Sequence, residues 1–257
     1  MKLKPYYEKD EMVLYKGDCL KILKKLPEKS VDLIFADPPY FLSNGGISVS
    51  GGKQVSVNKA EWDKGKANIK DKYQFNKKWI KECKRVLKDT GTIWISGTFH
   101  NIYSVGMALE EEGFKILNNI TWRKTNSPPN LACRCFAHST ETVIWAKKQC
   151  KGNKHYFNYD LMKELNNGKQ MKDVWEGSLT SKKEKKNGKH PTQKPLYLLE
   201  RIILASSKEG DMILDPFNGS GTTGVASKKL NRKYIGIDLE ENYLNLTVAR
   251  LEEIKGE

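Results

Sequence analysis

The sequence has no long apolar stretch. Nothing in it approaches the roughly 18 consecutive apolar residues of a membrane-spanning helix, and apolar residues make up 38% of its 257 positions. The first twenty residues also lack the apolar core of a secretion signal, because charged residues at positions 2, 4 and 8–11 interrupt every run. We therefore expect a soluble, cytoplasmic protein with no membrane partner.

Cysteine is scarce and scattered. The five cysteines lie at positions 19, 83, 133, 135 and 150. An odd number at irregular spacing does not predict a disulfide framework, and the lone Cys133-Arg134-Cys135 has no second pair at zinc-ligand spacing. We expect reduced thiols and no metal site.

Acidic residues are outnumbered by basic ones. The chain has 31 Asp and Glu against 45 Lys and Arg, a net charge of +14. This excess favours a polyanionic partner, because opposite charge accelerates encounter. A lysine-rich but otherwise ordinary surface explains the charge equally well, so composition alone leaves the partner open.

Short apolar runs alternate with segments of helical spacing along the chain. This alternation is typical of an α/β fold with a mostly parallel sheet covered by helices. The run Val31–Ala36 predicts a buried strand, and 196–206 predicts a helix. We expect a single domain over 1–257 with two unusual segments. One is a long mobile loop over 41–71, of a length that is usually functional, and the other is an irregular stretch over 147–189.

A glycine-rich turn follows a predicted strand at 212–214. The turn reads Asp215-Pro216-Phe217-Asn218-Gly219-Ser220-Gly221-Thr222-Thr223-Gly224. Its glycines have the spacing G-x-G-x-x-G, and strand, turn and helix start in this order form a nucleotide-binding unit. Asp238 ends the next predicted strand, where its carboxylate can accept hydrogen bonds from ribose hydroxyls.

The glycine unit alone fits either NAD or S-adenosylmethionine. Asp215 favours S-adenosylmethionine, because a carboxylate beside the turn repels a pyrophosphate but attracts an ammonium and a sulfonium. A helix start without any ligand is the remaining interpretation.

The second motif is Asp37-Pro38-Pro39-Tyr40, directly after the strand Val31–Ala36. Ligands of open α/β sheets bind at the carboxyl ends of strands, and two consecutive prolines make a stiff segment without N–H donors. The Asp37 carboxylate and the Pro38 carbonyl can accept both protons of a base amine, which favours a tetrahedral nitrogen with a localised lone pair. We predict that all four residues form the catalytic site, with the Tyr40 ring stacking on a base that has left the duplex.

Together, the two motifs resemble those of the amino-methyltransferases of bacterial restriction–modification systems. The catalytic motif precedes the cofactor glycines, an order similar to the β group, in which the Rossmann-like methyltransferase fold is circularly permuted. The resemblance covers nearly the whole chain and implies S-adenosylmethionine as methyl donor and DNA as substrate. It also implies a small embedded target-recognition segment, and it allows a homodimer, because the β group often forms dimers.

The resemblance extends to two further cofactor segments. Asp18 lies in a segment similar to the one that approaches the cofactor adenine. Thr192 and Lys194 lie in a segment similar to the one that closes over the methionine end, where Lys194 would pair with the carboxylate. The predicted cofactor residues are Asp18, Asp37, Thr192, Lys194, Asp215, Phe217, Asn218, Gly219, Ser220, Gly221, Thr222 and Asp238.

A narrower resemblance concerns the target base. Segments 41–47, 100–107 and 188–194 look like those of the DpnA-type second methyltransferases of GATC-cleaving restriction systems. This implies methylation of adenine N6 in GATC, acceptance of single-stranded DNA, and a cognate restriction endonuclease as functional partner. Cytosine N4 stays open as the alternative, because the same tetrapeptide serves both amines.

The permuted order places target recognition at 147–189, before the His190 segment. This stretch has twelve lysines interleaved with Tyr156, Phe157, Tyr159 and Trp175. Lysines can position phosphates and aromatic rings can contact bases, although a solvated surface charge explains any single lysine as well. Segments 41–71 and 126–130 are expected to border the pocket and to become ordered on DNA.

Three other interpretations compete with this one. A dehydrogenase would use the glycines for NAD. A protein- or RNA-modifying methyltransferase would commonly begin the tetrapeptide with Asn, where this chain has Asp37. A DNA-binding protein without activity would retain the motifs but transfer no methyl group. A hydrolase triad of His138, Ser139 and Glu141 is rejected, because no nucleophile-elbow motif accompanies it.

Overall fold

The computed structural model describes residues 3–41, 47–50, 53–56, 68–130, 133–150, 152, 154–188 and 190–254, with the backbone alone over 47–50 and 53–56. The strands are β1 (Tyr7–Lys9), β2 (Met12–Lys16), β3 (Val31–Ala36), β4 (Ile47–Ser50), β5 (Lys53–Ser56), β6 (Leu87–Gly97), β7 (Phe114–Lys124), β8 (Thr140–Lys148), β9 (Val174–Gly177), β10 (Met212–Asp215) and β11 (Lys233–Asp238). The helices are α1 (Cys19–Leu23), α2 (Ile69–Val86), α3 (Ile102–Glu111), α4 (Tyr159–Glu164), α5 (Leu196–Ser206), α6 (Thr222–Lys229) and α7 (Glu241–Glu252).

Nine of the strands among the described residues form one sheet, in the order β1-β2-β11-β10-β3-β6-β8-β7-β9. The strands from β2 to β6 in this order are all parallel. Antiparallel pairing occurs between β1 and β2, between β6 and β8 and between β8 and β7, while β9 runs parallel to β7. The predicted mostly parallel α/β sheet is confirmed, with antiparallel pairing toward its edges.

Side chains of the central strand β3 alternate between two apolar cores. Leu33 and Phe35 pack into the core that includes α5, α6 and α7, whereas Ile34 and Ala36 pack into the core that includes α1, α2 and α3. Successive side chains of a strand point to opposite faces, and a strand buried on both faces reads as a continuous apolar run. Burial on both sides fixes the end of β3, where the catalytic motif begins.

The two motifs follow neighbouring strands. β10 pairs in parallel with β3, so the glycine-rich turn after β10 and the tetrapeptide after β3 lie at the same edge of the sheet. From β10 the chain continues through α6 to β11, and from β3 it continues through α2 to β6 on the other side. Connections that diverge in this way open a crevice at the strand ends, which is where ligands of such sheets bind.

The two segments predicted to be irregular contain regular structure. The predicted single loop over 41–71 is wrong where β4 pairs with β5 as a hairpin and where α2 begins at Ile69; 42–46, 51–52 and 57–67 lie outside the described residues. The segment 147–189 contains α4 and β9. β9 has only four residues, too few to show an apolar periodicity, and it forms by pairing with β7.

Within the described ranges, no helix has both the length and the apolar character needed to cross a membrane. Among the same residues, no group of three or more His, Cys, Asp or Glu side chains is arranged to hold a metal ion.

Candidate active site

Asp37 stands at the end of β3 and accepts two short hydrogen bonds. The Tyr40 hydroxyl donates to Oδ1 at 2.6 Å, and Lys194 Nζ donates to Oδ2 at 2.6 Å. Lys194 precedes α5, so residues 157 positions apart in the chain meet at this carboxylate. The sequence predicted that Lys194 would pair with the cofactor carboxylate. In the structure, the Lys194 ammonium pairs with Asp37 instead.

Tyr40 is buried rather than open. Its side chain is 7% exposed, its hydroxyl lies 3.1 Å from Ser96 Oγ, and Lys194 Nζ lies 5.3 Å from its ring centroid. Burial, reinforced by the Asp37 charge, raises the pKa of Tyr40 well above its ordinary value. The predicted stacking of Tyr40 on a base is therefore wrong for this arrangement, because the ring is covered. Its hydroxyl instead orients Asp37.

Glu141 extends this cluster and was missed as a site residue. It lies on β8, with Oε2 at 3.5 Å from Lys194 Nζ and Oε1 at 2.6 Å from Lys124 Nζ. The sequence drew attention to it only as part of a rejected hydrolase triad. Its contacts depend on the antiparallel pairing of β7, β8 and β6, which no local motif reports.

The buried charges balance one another. Burial alone raises the pKa of Glu141, but the ammonium groups of Lys194 and Lys124 outweigh it and hold the pKa below its ordinary value. Burial alone lowers the pKa of Lys194, and Asp37, Tyr40 and Glu141 together raise it well above its usual range. Two carboxylates and two ammonium groups thus form a neutral cluster, which is what makes burial of charge tolerable.

The glycine-rich turn is held by Asp215. Its Oδ1 accepts from Phe217 N at 3.0 Å and its Oδ2 from Thr223 Oγ1 at 2.6 Å. The side chain is 2% exposed, and burial raises its pKa to about 7. Asp215 therefore ties the end of β10 to the first turn of α6.

Gly219 and Gly221 both have a left-handed backbone conformation, but they have different roles. Gly219 lines the cavity at this turn, whereas Gly221 does not, so the structure does not support the prediction that Gly221 contacts the cofactor. A Cβ on Gly221 would lie 2.3 Å from Thr247 Cγ2 of α7. Gly221 is therefore a packing position, where only glycine allows α6 and α7 to approach.

Asp238 closes the other side of the turn. Its Oδ2 accepts from Gly219 N at 2.7 Å and its Oδ1 from Glu240 N at 2.9 Å. Burial raises its pKa to about 6. A carboxylate oxygen has more than one lone pair, so both oxygens can still accept from a ribose.

These groups surround a cavity of about 220 Å³ at the carboxyl edge of the sheet. Apart from Gly221, every predicted cofactor residue lines it: Asp18, Asp37, Thr192, Lys194, Asp215, Phe217, Asn218, Gly219, Ser220, Thr222 and Asp238. Of the predicted catalytic residues, Asp37 and Pro39 line it, while Pro38 and Tyr40 do not. Asp18 also caps α1 by accepting from Lys21 N at 3.0 Å.

The lining suits a cationic nucleoside with an amino-acid end. Four carboxylates border the cavity, so it would attract a cationic ligand and repel a pyrophosphate. Gln193 lines it too, and its buried Oε1 has no hydrogen-bond partner among the described residues. Such an acceptor fits an ammonium group. S-adenosylmethionine carries both an ammonium and a sulfonium, so the carboxylates and the amide oxygen of this cavity fit this cofactor and disfavour NAD.

A second cavity, of about 730 Å³, lies on the β7–β8 side. Glu141 and Lys124 line it, so the charged cluster separates it from the first cavity. Phe99 and His138, whose rings stack at 4.8 Å, also line it. Aromatic rings beside polar groups are the usual lining for a heterocyclic base.

The predicted target-recognition segment contributes in part to the core. Trp175 is 5% exposed and lies 6.0 Å, ring to ring, from Trp94, so it is not free to contact a base. Phe157 and Tyr159 are 40% and 45% exposed. Lys148 is 6% exposed and donates to the Leu87 carbonyl. The aromatic and basic pattern therefore mixes structural positions with exposed ones.

Comparison with known sequences places the chain among DNA-modifying enzymes. A family described as DNA methylase matches residues 31–249. The Type II methyltransferase M2.DpnII of Streptococcus pneumoniae is 67% identical over 249 residues, which cover 97% of this chain and 92% of that protein. The Type II methyltransferase M2.LlaDCHI of Lactococcus lactis subsp. cremoris is 64% identical, covering 97% and 93%.

Solved structures of DNA methyltransferases resemble this chain over most of its length. The crystal structure of the M1.HpyAVI–SAM complex is 30% identical, with a TM-score of 0.68 and coverage of 93% of this chain and 98% of that one. The PvuII DNA methyltransferase, which is cytosine-N4-specific, has a TM-score of 0.78 at 20% identity, covering 96% and 89%, and so shares the fold. With its two motifs joined at one cavity and its match over most of its length, the chain belongs to the N6/N4 family of DNA methylases.

Proposed function

We propose that the protein transfers the methyl group of S-adenosylmethionine to N6 of adenine in GATC, as the protective enzyme of a restriction–modification system. The observation that carries this proposal is the position of Asp37. Its carboxylate borders the cofactor cavity, and Lys194 links it to Glu141, which borders the second cavity. A methyl donor and a target base placed in these cavities would meet at Asp37.

The cofactor is assigned to the first cavity by charge. Asp18 would approach the adenine, Asp238 would accept from the ribose, and Thr192 with Gln193 would lie at the methionine end. Asp215 supports this site through the turn that it fixes. S-adenosylmethionine supplies an activated methyl group, so these residues need to bind, orient and exclude water rather than activate the donor.

Asp37 and Pro38 prepare the target amine. Each would accept one amine proton, which withdraws the nitrogen lone pair from the ring and directs it at the methyl carbon. Transfer would form the nitrogen–carbon bond as the carbon–sulfur bond breaks, and the proton that the methylated amine then loses would pass to solvent. Tyr40 orients the carboxylate throughout, because its hydroxyl donates to Oδ1. Preorganised acceptors of this kind are the main source of rate acceleration in such transfers.

We assign the flipped base to the second cavity. Phe99 and His138 line it as a stacked aromatic pair against which a base can pack, and Asn119 and Thr140 offer polar groups for a base edge. A base that reaches this cavity must leave the duplex stack, which costs a few kcal/mol and is offset by stacking and hydrogen bonds in the pocket.

Adenine is favoured over cytosine by the resemblance of segments 41–47, 100–107 and 188–194 to GATC adenine methyltransferases. Cytosine N4 methylation is the second candidate, because Asp37 and Pro38 serve either exocyclic amine. The likeness to a cytosine-N4-specific enzyme at 20% identity concerns the fold and carries no weight for the base.

DNA contacts are assigned to 147–189 and, at the pocket, to 41–71 and 126–130. The exposed rings of Phe157 and Tyr159 support base or sugar contacts in the first of these segments. We propose further that the protein accepts single-stranded DNA and forms a homodimer. It would act in the cytoplasm as the functional partner of a cognate endonuclease. Light scattering tests the dimer.

Methyl transfer to short oligonucleotides tests the function. Duplex and single-stranded oligonucleotides, with and without GATC, are incubated with the enzyme and labelled S-adenosylmethionine, and the nucleosides are then separated by mass. We expect N6-methyladenine from GATC duplexes. N4-methylcytosine would establish the second candidate, and tight NADH binding without methyl transfer would refute both.

A further inference from the structure

Glu141 makes an incomplete set of contacts for a buried carboxylate. Its Oε1 is paired with Lys124 at 2.6 Å, but Oε2 makes no hydrogen bond within the described residues. The nearest cation to Oε2 is Lys194 Nζ at 3.5 Å, longer than the 2.7–2.9 Å or so of a charge-assisted hydrogen bond. A buried acceptor without a hydrogen bond is costly, so the position of Oε2 needs an explanation.

Lys194 holds the carboxylate that the target amine needs. Its ammonium lies 2.6 Å from Asp37 Oδ2, and Tyr40 already donates to Oδ1. A neutral base amine is a weaker donor than an ammonium, and it has to bind at this same carboxylate. Withdrawal of Lys194 from Oδ2 would strengthen this carboxylate as an acceptor for the amine, because an ammonium so close neutralises its charge. A displaced ammonium that is 5% exposed needs another anion nearby.

We propose that Glu141 is the second partner of Lys194 and that the ammonium moves from Asp37 to Glu141 when the target amine binds. A shift of Nζ on the order of 1 Å brings it to hydrogen-bond distance from Oε2. The net charge of the cluster is unchanged by the move. Glu141 is thus a positioning residue, since it acts through Lys194 and makes the Asp37 carboxylate available. This inference rests on the proposed methyl transfer.

Glu141→Gln tests the inference, because the amide keeps the shape but not the charge. We expect single-turnover methyl transfer to fall about 10- to 100-fold, the range for loss of a hydrogen bond to a charged group, with affinities for DNA and cofactor unchanged. Glu11→Gln is the matched control: Glu11 pairs with Lys233 at 2.5 Å at the amino-terminal end of β11, with both side chains exposed. It should leave the rate unchanged.

The pH dependence separates this role from a structural one. Lys194 faces Asp37 and Tyr40 after β3, Glu141 on β8 and, through Glu141, Lys124 on β7. Without the Glu141 charge, the pKa of Lys194 falls, so the ammonium is lost at lower pH and releases Asp37. The deficit of Glu141→Gln should therefore shrink as pH rises toward the lowered pKa of Lys194. Glu141→Asp keeps the charge and should recover most of the rate.

Three outcomes would overturn the inference. They are a wild-type rate for Glu141→Gln, a deficit that is constant with pH, and equal deficits for Glu141→Gln and Glu141→Asp at neutral pH. If Glu141→Gln does not fold, the rate of Glu141→Asp decides, because a loss as large as that of an Asp37 variant contradicts the role. Wild-type turnover in the same runs tests the proposed function separately, and an inactive wild type would refute that function rather than the contacts of Glu141.

Discussion

Gly221→Ala is a sharp test of how the cofactor turn is built. Gly221 has φ +72° and ψ +23°, a conformation that costs an L-residue roughly 1–2 kcal/mol. An added Cβ would also lie 2.3 Å from Thr247 Cγ2 and 2.4 Å from its Oγ1. Thr247 is fully buried and bonded to Asn218 at 2.8 Å, so it has little freedom to move. Overpacking of this kind costs about 1–3 kcal/mol more.

The total loss expected for Gly221→Ala is therefore about 2–5 kcal/mol of unfolding free energy. Urea unfolding followed by circular dichroism measures it as a lower midpoint at unchanged slope. Gly210→Ala is the matched control: Gly210 has φ +78° with no neighbour within 4 Å of an added Cβ, so it loses only the conformational part. Equal losses for the two variants would show that α6 and α7 do not meet as described, and the reasoning would fail.

Three further predictions concern the carboxylates of the site. Asp37→Asn should lower single-turnover methyl transfer at least about 100-fold, the usual effect of removing one preorganised group, while cofactor binding by calorimetry persists; an active variant contradicts the assigned role. Asp215, with a pKa of about 7, binds a proton in the folded state that it has lost in the unfolded state near neutral pH. Folding stability should therefore fall as pH rises from about 4 to about 7, and urea unfolding should show this slope in wild type and a weaker one in Asp215→Asn. Asp238, with a pKa of about 6, loses its charge below that pH, so cofactor affinity should weaken as pH falls through about 6, and a flat affinity profile would remove Asp238 from the ribose contacts.

Several elements were predictable because their signals are local. Val31–Ala36 and Leu196–Ser206 were predicted with the bounds that the structure has. In both, burial imposes a continuous or periodic apolar pattern on neighbouring residues. The segments with few apolar residues were predicted less well. β4 and β5 pair with each other and β9 pairs with β7, and such pairing leaves almost no trace in stretches of only four residues.

The site was predictable to the extent that it consists of contiguous motifs. The tetrapeptide at 37–40 and the turn at 215–224 each combine residue types that few other structures require. Lys194 was found through its motif, but its partner was not. Glu141, Lys124 and Ser96 were missed, because each is an ordinary polar residue whose importance comes from the strand on which it lies.

The sequence by itself determined the two chemical motifs and the alternation of strands and helices, because each is a pattern of neighbouring residues. It also determined the permuted order, because that is the order of the motifs along the chain. Tertiary structure decided which carboxylate Lys194 holds, that Tyr40 is covered, that Gly221 packs against α7 and that Glu141 joins the site. All four depend on residues distant in the chain being brought within a few ångströms by the sheet order. The physical reason is that pairing and burial are collective, whereas a motif is local.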